Sequence, residues 1–170
     1  IDAVPFKHEL MDEWRNNFKG IHHKDHTKGF DFYGAVDDVW VKPSGELIIS
    51  DVKTTSKKIF DWDKTFNEYE YPKGYVRQLE MYQWLFRQNG FKVSDEAYLV
   101  YFNGLKNEQM FNQQLKFELH LIKIKCNDEW VEDTIISACN LLSSDEYPQG
   151  SKNCMTCQYL KNRWNVKQKI

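Results

Sequence analysis

The alternation of apolar and polar residues predicts a domain that contains both helices and strands. Apolar residues at helical spacing predict helices over residues 6–18, 75–88 and 130–142, the second ending at an Asn89-Gly90 cap signal. Shorter apolar runs predict strands over residues 32–41, 47–53, 96–102 and 115–121. The order α-β-β-α-β-β-α predicts an α/β domain with a central sheet.

Two segments lack a regular pattern. Residues 20–29 are polar, carry His22, His23 and His26, and predict a loop. Residues 54–73 mix polar and aromatic side chains and predict an irregular flap or lid.

The last predicted strand changes phase within its length. Leu115, Phe117, Leu119 and Leu121 share one face, after which Ile122 and Ile124 become the apolar set. A β-bulge near residues 121 and 122 accounts for the change.

The composition is that of an ordinary folded protein. The 170 residues are 41% hydrophobic, which favours a single domain over residues 1–170 with a core of its own. A net charge of −2 gives no general attraction for nucleic acid, so such contacts require a local basic patch. No apolar run reaches the roughly 18 residues of a membrane span. No signal peptide is visible. The chain begins at Ile1 rather than at Met, which is compatible with a missing or cleaved upstream segment.

The predicted hairpin brings carboxylates together. Its turn, Pro43-Ser44-Gly45, fits a three-residue loop, and centring the hairpin on Ser44 sets Asp37 opposite Asp51. Opposed Cβ atoms lie roughly 4.5–5.5 Å apart, so two ionised carboxylates repel unless a cation lies between them. Carboxylate oxygens suit Mg²⁺, which indicates a metal site. A two-residue loop would place Asp38 opposite Asp51 instead.

Lys53 follows Asp51 by two residues, so both side chains lie on the same face of the predicted strand. Beside a metal-bound carboxylate pair, the Lys53 ammonium is placed to orient a water nucleophile or to neutralise a transition state. The alternative is a surface salt bridge among Asp37, Asp51 and Lys53. The presence of all three groups favours metal chemistry.

A second polar pair lies on the following helix, where Gln78 and Tyr82 share one face because they are four residues apart. The sequences Gly34-Ala-Val-Asp37, Asp51-Val-Lys53-Thr-Thr and Gln78-x-x-x-Tyr82 together resemble the motifs of the PD-(D/E)XK nuclease superfamily, in its RecB-type exonuclease branch. The resemblance spans about residues 30 to 90. It implies a restriction-endonuclease-like αβββαβ core, with a central mixed sheet flanked by helices.

The αβββαβ order requires one more strand than the pattern predicts before the second long helix. We expect it within residues 54–73, near Ile59 and Phe60.

The resemblance implies hydrolysis of DNA phosphodiesters with one or two Mg²⁺ or Mn²⁺ ions. By motif position, Asp37, Asp51 and the Val52 carbonyl are metal ligands, and Lys53 assists the water. Gln78 and Tyr82 lie near the site.

The family also supplies an acid or a histidine from its N-terminal helix. Glu9 is our first choice for this ligand and His8 the second, because both lie on the first predicted helix. His22, His23 and His26 form a cluster that suits a transition metal or, alternatively, an ordinary polar loop.

The cysteines Cys126, Cys139, Cys154 and Cys157 are late and unevenly spaced, which disfavours a disulfide scaffold and favours a cytoplasmic, reducing location. Some RecB-type nucleases hold an iron–sulfur cluster with one early and three late cysteines. This pattern differs, so we do not expect a cluster and favour paired or free thiols.

DNA contacts are predicted at Lys57 and Lys58, which follow the active strand, and at Lys73 and Arg77, which flank the helix start. Nearby aromatic residues offer stacking surfaces or core packing. We therefore predict an exonuclease-like enzyme of DNA repair, recombination or phage and defence processing, within a larger complex. The rival hypothesis is an inactive nucleic-acid-binding or assembly module of the same fold. A phosphoesterase for small molecules is weaker, because nothing resembles a nucleotide-base pocket.

Overall fold

The computed structural model describes residues 1–106 and 113–167 of the chain, in two compact units, Ile1–Ile135 and Ile136–Ile170. The strands are β1 Val4–Pro5, β2 Ile21–Asp25, β3 Phe30–Gly34, β4 Asp38–Val41, β5 Leu47–Thr55, β6 Glu96–Gly104 and β7 Phe117–Lys125. The helices are α1 Met11–Trp14, α2 Trp62–Glu68, α3 Tyr71–Gln88, α4 Trp130–Leu142 and α5 Met155–Lys167. None of the helices in this described part is long and apolar enough to cross a bilayer.

The first unit is built on a mixed sheet with the strand order β1-β4-β5-β6-β7. The β5–β6 pair is parallel, and its crossover runs through α2 and α3. The strands β2 and β3 form a separate two-stranded ribbon. The predicted α/β architecture with a central mixed sheet is therefore confirmed.

The core lies between α3 and one face of the sheet. Alternate side chains of β5 and β6, such as Ile49 and Leu99, are fully buried there. The α3 helix contributes Leu79, Leu85 and Phe86, which are also fully buried. This packing fixes α3 over the strand that carries Asp51.

The predicted helix over residues 6–18 is wrong in extent, because α1 spans only Met11–Trp14. The Phe6 amide donates to the Val39 carbonyl at 2.8 Å and extends the contact of β1 with β4. At the other end, the Asn16 side chain accepts from the Phe18 amide at 2.8 Å, a turn that stops the helix. Glu9 and His8 consequently precede the helix.

The predicted loop over residues 20–29 is wrong, because β2 pairs with β3 in an antiparallel ribbon. The sequence did not indicate β2 as a strand because most of its side chains are polar. One side of the ribbon packs on α3, where the His23 and Phe32 rings lie 5.1 and 5.8 Å from the Trp84 ring.

The predicted strand over residues 32–41 is two strands, β3 and β4. Between them the Val36 amide donates to the Trp14 carbonyl at 3.0 Å, and the Val36 side chain is buried. This anchor takes residues 35–37 out of the sheet and leaves Asp37 just before β4.

The segment 54–73 is more regular than predicted and contains no strand near Ile59 and Phe60. It holds α2, which Asp61 caps by accepting from the Lys64 amide at 2.9 Å. The α3 helix also begins earlier than predicted, with Pro72 in its first turn, where a missing amide costs nothing.

The bulge predicted near residues 121 and 122 is wrong, because β7 pairs with β6 in one unbroken register from Glu96 opposite Lys125 to Gly104 opposite Phe117. The phase change has another cause. Ile122 and Ile124 point toward the core, whereas Phe117, Leu119 and Leu121 are about half exposed on the other face.

Candidate active site

The hairpin register places Asp37 and Asp51 at the same level. Asp38 lies opposite Ser50, and Trp40 lies opposite Ile48, so the hairpin is centred on Ser44 as the three-residue turn predicted. Gly45 at the end of the turn adopts a φ of +79°, which favours glycine. The alternative register with Asp38 opposite Asp51 is therefore wrong.

Asp37 is held by the backbone of β5. Its Oδ2 accepts a hydrogen bond from the Val52 amide at 2.7 Å, beyond the last β4–β5 pair. The amide and carbonyl of one strand residue point to the same side, so the Val52 carbonyl also faces the Asp37 side. The Asp37 carboxylate, itself exposed, lies beside a carbonyl with no partner in the β4 ladder.

Asp51 is the buried member of the pair, with only 2% of its surface exposed. Burial raises the pKa of its carboxyl, and the neighbouring Asp37 raises it further, while Lys53 lowers it. Asp51 Oδ2 lies 2.5 Å from Lys53 Nζ but accepts no well-aligned hydrogen bond within the described residues. Lys53 thus pairs with a buried carboxyl whose pKa the neighbouring Asp37 also raises.

A chain of polar contacts continues from Lys53 to α3. Lys53 Nζ donates to Gln78 Oε1 at 3.2 Å, and Gln78 Nε2 donates to the Tyr82 hydroxyl at 2.8 Å. Lys53 Nζ also lies 4.5 Å from the centre of the Tyr75 ring. The structure therefore brings together Asp37, Asp51, Lys53, Gln78 and Tyr82.

Gly34 allows Tyr82 to approach the hairpin. A Cβ atom at Gly34 would lie 2.7 Å from Tyr82 Cε1, closer than real contacts allow. The absence of a side chain at Gly34 therefore gives the Tyr82 ring the space that it occupies. Burial raises the pKa of Tyr82, and Asp51 and Asp37 add to this effect, so the hydroxyl keeps its proton at neutral pH.

The sequence model of one family matches the chain over residues 4–161, a range that includes every residue of this site. The chain belongs to the PD-(D/E)XK nuclease superfamily. No curated protein and no solved structure matches it. The mixed sheet flanked by helices is consistent with the restriction-endonuclease-like fold of this superfamily.

PD-(D/E)XK nucleases usually use divalent metals such as Mg²⁺. The residues present here fit such an ion. Two carboxylates and a carbonyl are hard oxygen donors of the kind that Mg²⁺ prefers. The raised pKa of Asp51 indicates that Lys53 alone does not offset burial and the charge of Asp37. Asp37, Asp51 and the Val52 carbonyl would hold the ion.

Within residues 1–106 and 113–167, no third acidic or imidazole side chain joins Asp37 and Asp51. No group of three His, Cys, Asp or Glu side chains within metal-binding distance exists among the described residues. Glu9 is exposed, and the His8 ring stacks on Trp14 with centroids 4.5 Å apart. Glu9 and His8 therefore remain predicted metal ligands. Neither side chain forms a metal-binding group with Asp37 and Asp51 in the described residues.

The three histidines of the ribbon are separated rather than clustered. His22 contacts Asp31 and the Lys19 carbonyl, both at 2.8 Å, His23 packs on Trp84, and His26 is exposed in the turn. Each histidine therefore has a structural or surface position of its own.

The predicted DNA-binding cations take different positions around α3. Lys57 is half-buried and donates to Thr65 and Tyr71, whereas Lys58 is exposed. Lys73 pairs with Glu70 at 2.6 Å. Arg77 is exposed and lines a cleft of about 360 Å³ that also touches Gln78 and Tyr82.

The cysteines show no joint metal site in the described part of the chain. Burial raises the pKa of Cys126 to about 12, so this residue remains a thiol at neutral pH. Cys154 and Cys157 lie together where α5 begins, and the Cys157 amide donates to Cys154 Sγ at 3.4 Å.

Sequence reasoning missed Asn103 and Tyr101, which extend the site along β6. Tyr101 lies opposite Lys53 in the parallel pair, and Asn103 lies opposite Thr55. Asn103 is buried at the end of an apolar run, as Asp51 is on β5. A polar residue closing a buried strand was the signal that could have identified it.

Proposed function

We propose that this chain is a Mg²⁺- or Mn²⁺-dependent deoxyribonuclease that hydrolyses DNA phosphodiester bonds with water. It acts as an exonuclease of the RecB type, in DNA repair, recombination or phage and defence processing. The observation that supports this most strongly is the grouping of Asp37, Asp51 and Lys53 at the end of β5. Superfamily membership supports the nuclease class and a nucleic acid substrate.

When bound, a divalent ion supplies Lewis acidity and makes a water molecule more acidic. Asp37 and Asp51 would both hold this ion. Asp51 is buried and fixed, whereas Asp37 is exposed on the side from which the substrate would approach. Val52 contributes its carbonyl, and Glu9 or His8 would complete the ligand set.

Lys53 supplies the positive charge that does not depend on the ion. Its ammonium is held by Gln78 and sits over Tyr75, so it is positioned before the substrate arrives. In this position it stabilises the negative charge that develops on the phosphate oxygens. Tyr82 orients the Gln78 amide and thereby the lysine.

Cleavage of end-labelled single-stranded and double-stranded DNA with Mg²⁺ or Mn²⁺ tests the proposal. Lys53→Met keeps an unbranched side chain but removes the ammonium that lies over the Tyr75 ring, so we expect cleavage to fall at least 100-fold. Lys92→Met is the matched control, because Lys92 is 71% exposed and lies by the first residue of β5. The proposal fails if the wild type cuts neither DNA form, or if Lys53→Met cuts as fast as Lys92→Met.

One observation favours a second function, an inactive DNA-binding or assembly module. Lys53 already pairs with Asp51, and no third ligand joins Asp37 and Asp51 within the described residues. A module of this kind would bind labelled DNA with no cleavage in either metal, and Lys53→Met would alter neither property.

A further inference from the structure

A second cleft opens next to Lys53, between the carboxyl end of β5 and the beginning of α2. It encloses about 230 Å³. Five aromatic residues contribute to its lining, namely Phe60, Trp62, Tyr71, Tyr75 and Tyr101. The carboxyl ends of parallel strands are the edge where α/β sheets bind ligands, and this cleft lies at the end of the β5–β6 pair.

The aromatic rings are arranged as walls rather than as a closed core. Tyr101 is buried and forms the floor, and the Trp62 and Phe60 rings lie 5.8 and 5.0 Å from it. Trp62 and Tyr75 are half-buried, and Tyr71 is 45% exposed at the rim. A flat ring bound between these side chains would contact apolar ring faces and phenol hydroxyls.

Lys57 places a positive charge in the same cleft. Its ammonium donates to Thr65 Oγ1 at 2.9 Å and to the Tyr71 hydroxyl at 3.2 Å. No carboxylate pairs with it anywhere in residues 1–106 and 113–167, so its charge remains available to an anion.

The position of Lys57 is fixed by a buried side chain. Asn103, 1% exposed, accepts from the Lys57 amide at 2.8 Å and donates to the Lys57 carbonyl at 3.1 Å. These two bonds make the strand exit rigid, so the cation is held at the cleft rather than on a free loop.

The cleft adjoins the candidate active site directly. Tyr75 lines it and also carries Lys53 Nζ over its ring at 4.5 Å. Tyr101 lies opposite Lys53 in the parallel pair. A ligand in the cleft is therefore separated only by the Tyr75 side chain from Lys53, the residue that pairs with Asp51.

We propose that this cleft binds one unpaired nucleobase of the DNA substrate, next to the phosphate that is cleaved, with Lys57 on the adjoining phosphate. The proposal rests on the proposed nuclease function for the position of the cut but not for the binding itself. It makes single-stranded DNA, or a duplex end that has opened, the preferred substrate.

Size and chemistry favour a nucleobase over other ligands. The volume is below the roughly 300–1,000 Å³ typical of complete small-molecule sites, and suits one ring system. Aromatic side chains can stack on any base. A lysine between tyrosines can bind the phosphate that every nucleotide carries. A base in a duplex is stacked and paired, so it must leave the helix before it can enter.

The test measures the binding of fluorescein-labelled single-stranded 12-mers, each with one abasic position, moved stepwise along the strand. EDTA excludes metal-dependent cleavage, and anisotropy gives the affinity. We expect one position at which loss of the base weakens binding about tenfold, as stacking energies imply. Trp62→Ala should bind the intact strand about as weakly and respond equally to every abasic position.

Controls separate the cleft from general effects. Phe18→Ala removes an aromatic side chain that is 96% exposed outside the cleft, and should keep the wild-type profile. Trp62→Phe should restore most of the sensitivity, which guards against a folding defect in Trp62→Ala. A flat wild-type profile, or a profile that Trp62→Ala leaves unchanged, overturns the proposal.

The same oligonucleotides with Mg²⁺ or Mn²⁺ locate the cut. We expect the sensitive position to adjoin the cleaved bond, and a distant position would overturn that part of the proposal. If neither these strands nor duplex DNA is cut, the nuclease proposal fails, whereas the binding profile in EDTA still tests the nucleobase cleft.

Discussion

The Val52 amide donates to Asp37 Oδ2 at 2.7 Å, which ties the carboxylate of one hairpin arm to the backbone of the other. Asp51 and Lys53 flank Val52 on β5. The register of the hairpin is therefore also the geometry of the candidate metal site, because a shift of one residue would move Asp51 and Lys53 to the opposite face.

Asp37→Asn keeps an oxygen that can accept the Val52 amide but removes a charge beside Asp51. We expect cleavage to fall at least 100-fold while the metal-free protein becomes no less stable, since repulsion between the carboxylates is relieved. Gel assays and thermal unfolding provide the two measurements.

Asp38→Asn is the control for this change, one residue away. Asp38 pairs with Arg15 and accepts from Trp40 Nε1 at 3.0 Å, so its loss should cost about 1 kcal/mol of stability or less and leave cleavage intact. Equal loss of cleavage in both variants would contradict the assignment of Asp37.

Mn²⁺ should stabilise the folded protein, because it binds the native carboxylate pair and not the unfolded chain. At a metal concentration about 100 times the dissociation constant, the expected gain of about 2.7 kcal/mol raises the melting temperature by roughly 5–10 °C. Differential scanning fluorimetry measures this shift.

Asp51→Asn should abolish most of the Mn²⁺ shift. Glu9→Gln and His8→Gln then identify the N-terminal ligand, since the loss of a true ligand reduces the shift and the loss of any other residue does not. If Mn²⁺ does not change the melting temperature of the wild-type protein, the proposed metal site is contradicted.

The pH dependence of stability follows from Asp51. Burial and Asp37 raise the pKa of its carboxyl above the usual 3.8, so the folded protein binds a proton that the unfolded chain has already lost. The contribution of Asp51 to stability is therefore full below pH 3.8 and declines as the pH rises through the raised pKa of the folded state.

Asp51→Asn carries no titratable carboxyl at this position and should be more stable than the wild type at pH 7 in EDTA. The difference should shrink as the pH falls toward 3.8. Urea unfolding of both proteins between pH 4 and 8 measures it, and a difference that stays constant across this range would contradict the prediction.

Gly34→Ala should displace Tyr82, because the new methyl group would lie 2.7 Å from its ring. We expect a loss of about 1–3 kcal/mol in urea unfolding, together with weaker cleavage. Gly74→Ala is the matched control, since nothing lies within 4 Å of a Cβ at Gly74, which is near the beginning of α3. It should gain about 0.5–1 kcal/mol, and equal effects at both glycines would refute the contact.

Local chemistry made part of this site predictable from the sequence. Pro43-Ser44-Gly45 fits a three-residue loop, and of the two pairings left open by the sequence the one predicted by this loop, with Asp37 level with Asp51, is observed. Strand periodicity places Lys53 beside Asp51, and helix periodicity places Gln78 beside Tyr82. Each of these relationships depends on residues close in sequence.

The errors arose where distant residues decide the local structure. The Val39 carbonyl draws Phe6 into an extended segment despite its helical pattern. Trp84 supports a ribbon whose own residues are polar. Leu119 and Leu121 alternate as a core face would, yet they lie outward, because Ile122 and Ile124 occupy the side that meets the core.

The bonds around β5 connect residues at increasing sequence separation. Asp37 meets Val52 across 15 positions, Lys53 meets Gln78 across 25, and Lys57 meets Asn103 across 46. Closing a short loop costs less conformational entropy than closing a long one, and a chain leaves the ribosome from its N-terminus. During synthesis the residues of the carboxylate pair therefore emerge first, Gln78 that holds Lys53 emerges next, and Asn103 that holds Lys57 at the aromatic cleft emerges last.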